Sequence, residues 1–244
     1  MMDDFVEVDK FLDEYDGESA YKSLQKQPAP DKAEYQYRLA HACYIRANQE
    51  DVDEKRIELL REAREHALKA VEIDPENGEV WKWAATVTGV LAEHLSLKEK
   101  VSLGKEFKTY LDKAIEKLPD EITLLHMRGR FIFQIANLSM IERAFVAMFY
   151  ESLPEASYEM ALEDLLKMEE ISPGDLDNQL YIGKVYHAMG NTEKAKEWLN
   201  LLCDAVPVDA MDQEHISEAV DIMEKIVPGF KETREAKVVS EEQE

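Results

Sequence analysis

The sequence predicts an all-α chain: an array of stacked helical hairpins closed at each end by a capping helix. Three observations carry this. Segments of alternating Val, Ile and Thr are scarce, so almost no sheet is expected. Apolar residues recur three and four positions apart instead. Pro30, Pro75, Pro119, Pro173 and Pro207 punctuate the chain at intervals of 45, 44, 54 and 34 residues, as helix terminators would.

In chain order, residues 3–16 place Phe5, Val8, Leu12 and Tyr15 on one helical face, and Gly17 is expected to break that helix. Residues 18–27 give a second short helix with Ala20, Tyr21 and Leu24, ended by Pro28-Ala-Pro30. Together 3–27 form the starting cap. The first full unit spans 33–75: Leu39, Ala40 and Cys43 mark one helix, and Ala63, Ala67 and Ala70 the other. The second spans 76–119, with Trp81, Ala84, Ala85 and Thr88, then Phe107, Leu111 and Ala114. The third, 120–173, has Leu125 and Gly129, then Ala161, Leu165 and Met168. The fourth, 174–207, is the most regular. Ile182, Gly183 and Tyr186 lie on one stripe and Ala195, Leu199 and Leu202 on another, with Gly190-Asn191 as the turn between them. Small residues at Gly183 and Ala195 let the two helices touch. Its period of 34 residues and these positions closely resemble a tetratricopeptide repeat, which implies that the array winds as a superhelix.

The first three units exceed that period by 11, 10 and 20 residues. Residues 48–58 and 92–106 are charged and helix-favouring, and read as extra helical turns. The surplus at 134–155 differs: Leu138, Met140, Ile141, Phe145, Met148, Phe149 and Tyr150 are apolar and must be buried by this domain or a partner. Residues 209–227 form a closing helix, with Ile216, Val220, Met223 and Val227 inward and Asp212, Glu218, Asp221 and Lys225 outward. The domain is expected to end at 229, leaving 230–244 as a disordered acidic tail.

The wide first units, Ala67-Leu-Lys-Ala-Val-Glu-Ile-Asp-Pro75, Trp81 with Trp83, Gly129-Arg-Phe131 and Tyr181-Ile-Gly-Lys-Val-Tyr-His-Ala-Met-Gly190 together resemble the regulator of microtubule dynamics family over about residues 5–227. The resemblance implies a cytoplasmic protein at the cytoskeleton, the spindle and the spindle poles, with tubulin or microtubules as partner. Some members carry an organelle membrane anchor and one is implicated in lipid transfer. This chain looks like a soluble member without the anchor.

Composition narrows the function. The formal net charge of −23 disfavours nucleic acid and anionic membrane surfaces. The richest apolar run has only 11 uncharged residues between Arg130 and Glu142, where a membrane span needs about 20. No secretory leader is visible, and Cys43 and Cys203 read as reduced, packed thiols. None of the six His stands in a metal-binding spacing, and no nucleophile elbow, phosphate loop or C-x-x-C occurs. No enzyme, metal or cofactor is expected.

The groove of a stacked array is the better place for function, because the first helix of each unit lines it. Counting three back, one on and four on from Ala40, Ala85, Gly129 and Gly183 gives twelve positions. They are Tyr37, His41 and Tyr44; Lys82, Thr86 and Gly89; His126, Arg130 and Phe133; Leu180, Lys184 and His187. None is acidic in a strongly acidic chain, although twelve positions can lack acids by chance. The set suits an extended acidic segment such as a tubulin tail, with Arg130 and Lys184 pairing carboxylates. The carboxylate clamp of chaperone co-factors is missing: its positions hold Tyr37, His41, Thr123 and Met127. The alternative is a lipid or apolar ligand among Phe131, Phe133, Met140, Phe145, Met148 and Phe149, or a generic protein-interaction adaptor.

Overall fold

The computed structural model describes residues 5–26, 28–148, 154–208 and 210–234. Among them every regular element is a helix and none is a strand. The chain divides into two compact units, Met1–Leu124 and Leu125–Glu244.

The first unit opens with α1 (Val6–Asp13) and α2 (Gly17–Lys26). Phe5, Val8 and Leu12 pack with Leu24 of α2 and with Leu39 and Ile45 of the next helix, as the spacing requires. The break between α1 and α2 corrects the sequence reading. Tyr15, not Gly17, takes the left-handed turn, at φ 58°, and its side chain is exposed instead of joining the inward face. Gly17 is the first residue of α2. A Cβ there would stand 2.7 Å from the Ala42 carbonyl, so its smallness serves helix contact.

Two hairpins follow. Helix α3 (Ala33–Asn48) pairs with α4 (Asp53–Ile73), and α5 (Gly78–Glu93) with α6 (Leu97–Lys117). Ala40, Cys43, Ala63, Ala67 and Ala84 are fully buried in one seam, where small side chains let the backbones approach. Helices α4 and α6 each run 21 residues, against 12 in the shortest second helix. The surplus of 48–58 and 92–106 is therefore mostly helix.

Helix α7 (Ile122–Ala136) begins at the end of the first unit and lies mainly in the second. Gly129 meets α9 (Tyr158–Ile171): a Cβ there would lie 2.6 Å from Leu165 Cγ. Gly183 of α10 (Leu176–Ala188) meets Leu199 of α11 (Thr192–Cys203) in the same way. Gly190 turns the chain between them at φ 75°, and the Asn191 side chain then caps α11. Helix α12 (Ala210–Ile226) closes the unit by burying Ile216, Ala219, Ile222 and Met223.

Two further expectations change. The surplus at 134–155 contains α8 (Met140–Ala147), started by a capping box of Ser139 and Glu142. None of its apolar side chains is fully buried within the described chain: Met140 is 89% exposed and Ile141 84%, Phe145 and Val146 are half-buried, and Met148, just past its end, is 79% exposed. Phe149 and Tyr150 lie outside the described residues. At the other end the folded chain continues past Gly229. Residues 230–234 are helical, Phe230 packs against the α10–α12 core, and Arg234 donates to the Cys203 carbonyl at 3.1 Å. The remainder of the expected tail, 235–244, lies outside the described residues.

Candidate binding surface

In the first unit the selected residues separate into packed and paired groups. His41 stacks on Trp83 with ring centroids 4.0 Å apart. Burial, then the nearby Lys82 charge, pushes its imidazole down from 6.5 to about 4, so the ring is neutral at physiological pH. Tyr37 accepts a hydrogen bond from Arg38 at 2.7 Å, and burial raises its phenol. Arg38 in turn grips Asp9 with two bonds of 2.6 and 2.8 Å. Tyr44 is half-buried against the α1–α3 and α3–α5 cores. Lys82 pairs with Glu79 at 2.9 Å and with Glu121 at 3.6 Å, and Thr86 donates to the Lys82 carbonyl. Gly89 does not face a groove: a Cβ on it would stand 2.8 Å from Phe107 Cε2, at the α5–α6 contact.

The second unit gathers its share more tightly. Asp177, in the first turn of α10, is the centre. His126 Nε2 lies 2.9 Å from Asp177 Oδ2, and Arg130 donates to the same oxygen at 3.0 Å. His215 of α12 approaches Asp177 Oδ1 at 3.6 Å. Burial by itself would raise the Asp177 carboxyl. The His126 hydrogen bond and the charges of Arg130, His126 and His215 outweigh it and hold the group below its usual value. Arg130 and Lys184 both lie over the Tyr181 ring, each 4.6 Å from its centroid. Lys184 also donates to Glu218 at 2.6 Å. His187 is exposed at the end of α10. Phe133 and Leu180 are core residues, 7% and 1% exposed, so neither presents a surface.

The acid-free character of the twelve positions does not describe their surroundings. Lys82, Arg130 and Lys184 all meet carboxylates: Glu79 and Glu121, Asp177, and Glu218. Two of these were within reach of the sequence, because one further turn back from Ala85 and Gly183 arrives at Glu79 and Asp177. Glu121, His215 and Glu218 come from other segments and left no local signal. The six apolar-ligand residues do not share one environment. Phe133 is buried against Tyr158 and Tyr181, Met140 and Met148 are exposed, and Phe149 is outside the described residues. No group of three or more His, Cys, Asp or Glu able to hold a metal occurs among the described residues.

A family profile, "Regulator of microtubule dynamics protein 1-3", matches residues 4–227. The chain belongs to this family. It is 28% identical over 226 residues to "Regulator of microtubule dynamics protein 1" of Caenorhabditis elegans, covering 92% of this chain and 100% of that one. It is 32% identical over 189 residues to "Regulator of microtubule dynamics protein 3" of Xenopus laevis, covering 75% of this chain but only 40% of that one. It therefore spans the whole nematode relative and less than half of the frog one. A thermophilic tetratricopeptide-repeat protein of Thermus thermophilus superposes with a TM-score of 0.57 at 13% identity, over 88% of this chain and 96% of that one. That likeness bears on fold alone. Among the described residues no helix is long and apolar enough to cross a membrane.

Proposed function

We propose that this chain is a non-catalytic binding scaffold in the regulation of microtubule dynamics, acting at interphase or spindle microtubules by capturing an acidic segment such as a tubulin tail. The carrying observation is local. In a chain of net charge −23, Arg130 and Lys184 each lie 4.6 Å from the centre of one aromatic ring, which His126 meets edge-on. An incoming carboxylate can exchange with Glu218 for Lys184. Glu218 is 47% exposed, and exposed ion pairs contribute only about 0–1 kcal/mol, so the exchange costs little. Tyr181, a core residue at 9% exposure, backs the two cations from beneath. At physiological salt the acidity of the rest of the chain is screened beyond about 8 Å, so it does not bar approach, and capture is a short-range event between the local cations and the tail.

The test is microtubule co-sedimentation across a NaCl series, with wild type beside Arg130→Glu combined with Lys184→Glu. Loss of binding in the double variant, and a steep fall with salt in the wild type, are expected. Unchanged binding by the double variant defeats the acidic-segment reading, and salt-insensitive binding favours an adaptor that reaches microtubules through another protein. A second reading, an apolar-ligand carrier, draws on the exposure of Met140, Ile141 and Met148. Native mass spectrometry separates it, since a carrier retains lipid through purification.

A further inference from the structure

His126 is held between two acceptors. Its Nε2 is 2.9 Å from Asp177 Oδ2, and its Nδ1 is 3.2 Å from Asn178 Oδ1. The second contact has a fixed direction. The Asn178 amide nitrogen donates to the Leu165 carbonyl at 3.0 Å and to Glu169 Oε2 at 3.2 Å. A carbonyl and a carboxylate only accept, so turning the amide over would set oxygen against oxygen twice. Asn178 is fully buried, and no solvent would compensate. The end of Asn178 that faces His126 is therefore its oxygen. A neutral imidazole carries one N–H and satisfies one of these two acceptors. The imidazolium satisfies both.

The charged groups around the ring carry a net negative charge. Arg130 of α7 shares Asp177 Oδ2. Lys184 of α10 lies across Tyr181, whose ring meets His126 edge-on at 5.9 Å. His215 of α12 reaches the other oxygen of Asp177, and its own Nδ1 is buried with no partner among the described residues. Glu169 of α9 stands behind Asn178. With the Glu218 that Lys184 meets, three carboxylates stand against two fixed cations, so the net field and the count of satisfied hydrogen bonds both favour the protonated ring.

We propose that His126 is a proton-operated latch: the protonated ring bridges Asp177 and Asn178 and ties α7 to the first turn of α10, and loss of the proton gives up one of the two ties. The carboxyl of Asp177 is held below its usual range, so it stays ionised wherever a histidine titrates, and the ring is the element that switches. Asn178 carries the tie onward to α9 through Leu165 and Glu169. The consequence is a second unit whose α7–α10 contact tightens toward acid.

Hydrogen exchange on the full chain, wild type beside His126→Gln, tests this at about pH 5.5 and about pH 8.5. The ratio of wild-type to variant protection for the α10 amides cancels the intrinsic pH dependence of exchange and any titration elsewhere. It is expected to be at least about fivefold larger at the acid value. A ratio that agrees within about twofold at both values overturns the latch. Where His126→Gln does not fold, long-range proton–nitrogen spectra of the wild type decide. Protons on both His126 nitrogens at about pH 6 support the latch, and a singly protonated ring there overturns it.

Discussion

Gly183 shows how a missing side chain sets the distance between two helices. A Cβ there would stand 2.7 Å from Leu199 Cδ2, and one on Gly129 would lie 2.6 Å from Leu165 Cγ and 3.2 Å from the Ala161 carbonyl. Alanine would gain about 1 kcal/mol of helix propensity, which competes with overpacking of about 1–3 kcal/mol. Valine removes that ambiguity, because it adds bulk and little propensity. Gly183→Val and Gly129→Val are each expected to lower unfolding free energy by roughly 2 kcal/mol or more in urea titration. His41 gives a pH signature in the other unit. Its folded value, about 4, lies below the ordinary 6.5. Between those values the unfolded chain binds a proton that the folded chain refuses. The contribution is therefore full above about 6.5 and is lost as pH falls toward 4. Measured in urea unfolding against His41→Phe, which keeps a ring on Trp83, the wild type should lose about 2 kcal/mol more between about pH 7 and pH 5. Gly129 and Gly183 were readable in sequence because helix crossings demand small residues at repeat spacing, whereas Gly17 and Gly89, equally close to a neighbouring helix, read as a breaker and a groove position. The partners of the cations were not, because Glu121, Glu218 and His215 reach their sites from helices or turns remote in the chain.

Whole helices were more legible than their partners, since a helix declares itself within one stretch of chain. Proline, cap and apolar periodicity act over a turn or two, and the α3–α4, α5–α6 and α10–α11 hairpins follow from them. Helix α8 defeats that logic. It has a complete capping box, but apolar content alone did not predict that Met140 and Ile141 would stand exposed. Burial belongs to tertiary packing, which local pattern does not encode. Two sets of variants expose the difference. Met140→Ser and Ile141→Ser should each change stability by no more than about 0.5 kcal/mol. Ile182→Ala, in the fully buried core of the same unit, should cost about 2–5 kcal/mol. A separate constraint crosses from α7 to α9. Arg128 holds the buried Asp164 with bonds of 2.6 and 2.5 Å. Asp164→Ala would leave the guanidinium without this carboxylate but still 35% exposed to water, and about 1–3 kcal/mol is expected to disappear from the unfolding free energy.

At the scale of the whole chain the excess of 52 acidic over 29 basic residues sets the response to salt. Two effects oppose each other. Added salt weakens the ion pairs that hold helices together, and it also weakens repulsion among the surplus carboxylates. The pairs act at contact: Lys184–Glu218 at 2.6 Å, Arg46–Glu18 at 2.9 Å and Lys82–Glu79 at 2.9 Å. Those separations are far shorter than any Debye length in use, so screening trims them only slightly. Exposed pairs contribute about 0.2–1 kcal/mol each in any case. The surplus repulsion acts over tens of ångströms, where a screening length that falls from about 30 Å at 0.01 M to about 8 Å at 0.15 M removes most of it. Repulsion therefore loses more than attraction does. The thermal midpoint should rise by several degrees as NaCl increases from about 0.01 M to about 0.15 M, as read by circular dichroism at fixed pH. Microtubule co-sedimentation should move in the opposite direction over the same range, because added anions compete for Arg130 and Lys184 and a captured tail, unlike a carboxylate held within the fold, is free to leave. A midpoint that falls with salt would mean that the ion pairs outweigh the acidic surplus, and that the contacts between helices rest on charge more than on the apolar seams of Ala40, Ala63 and Ala67.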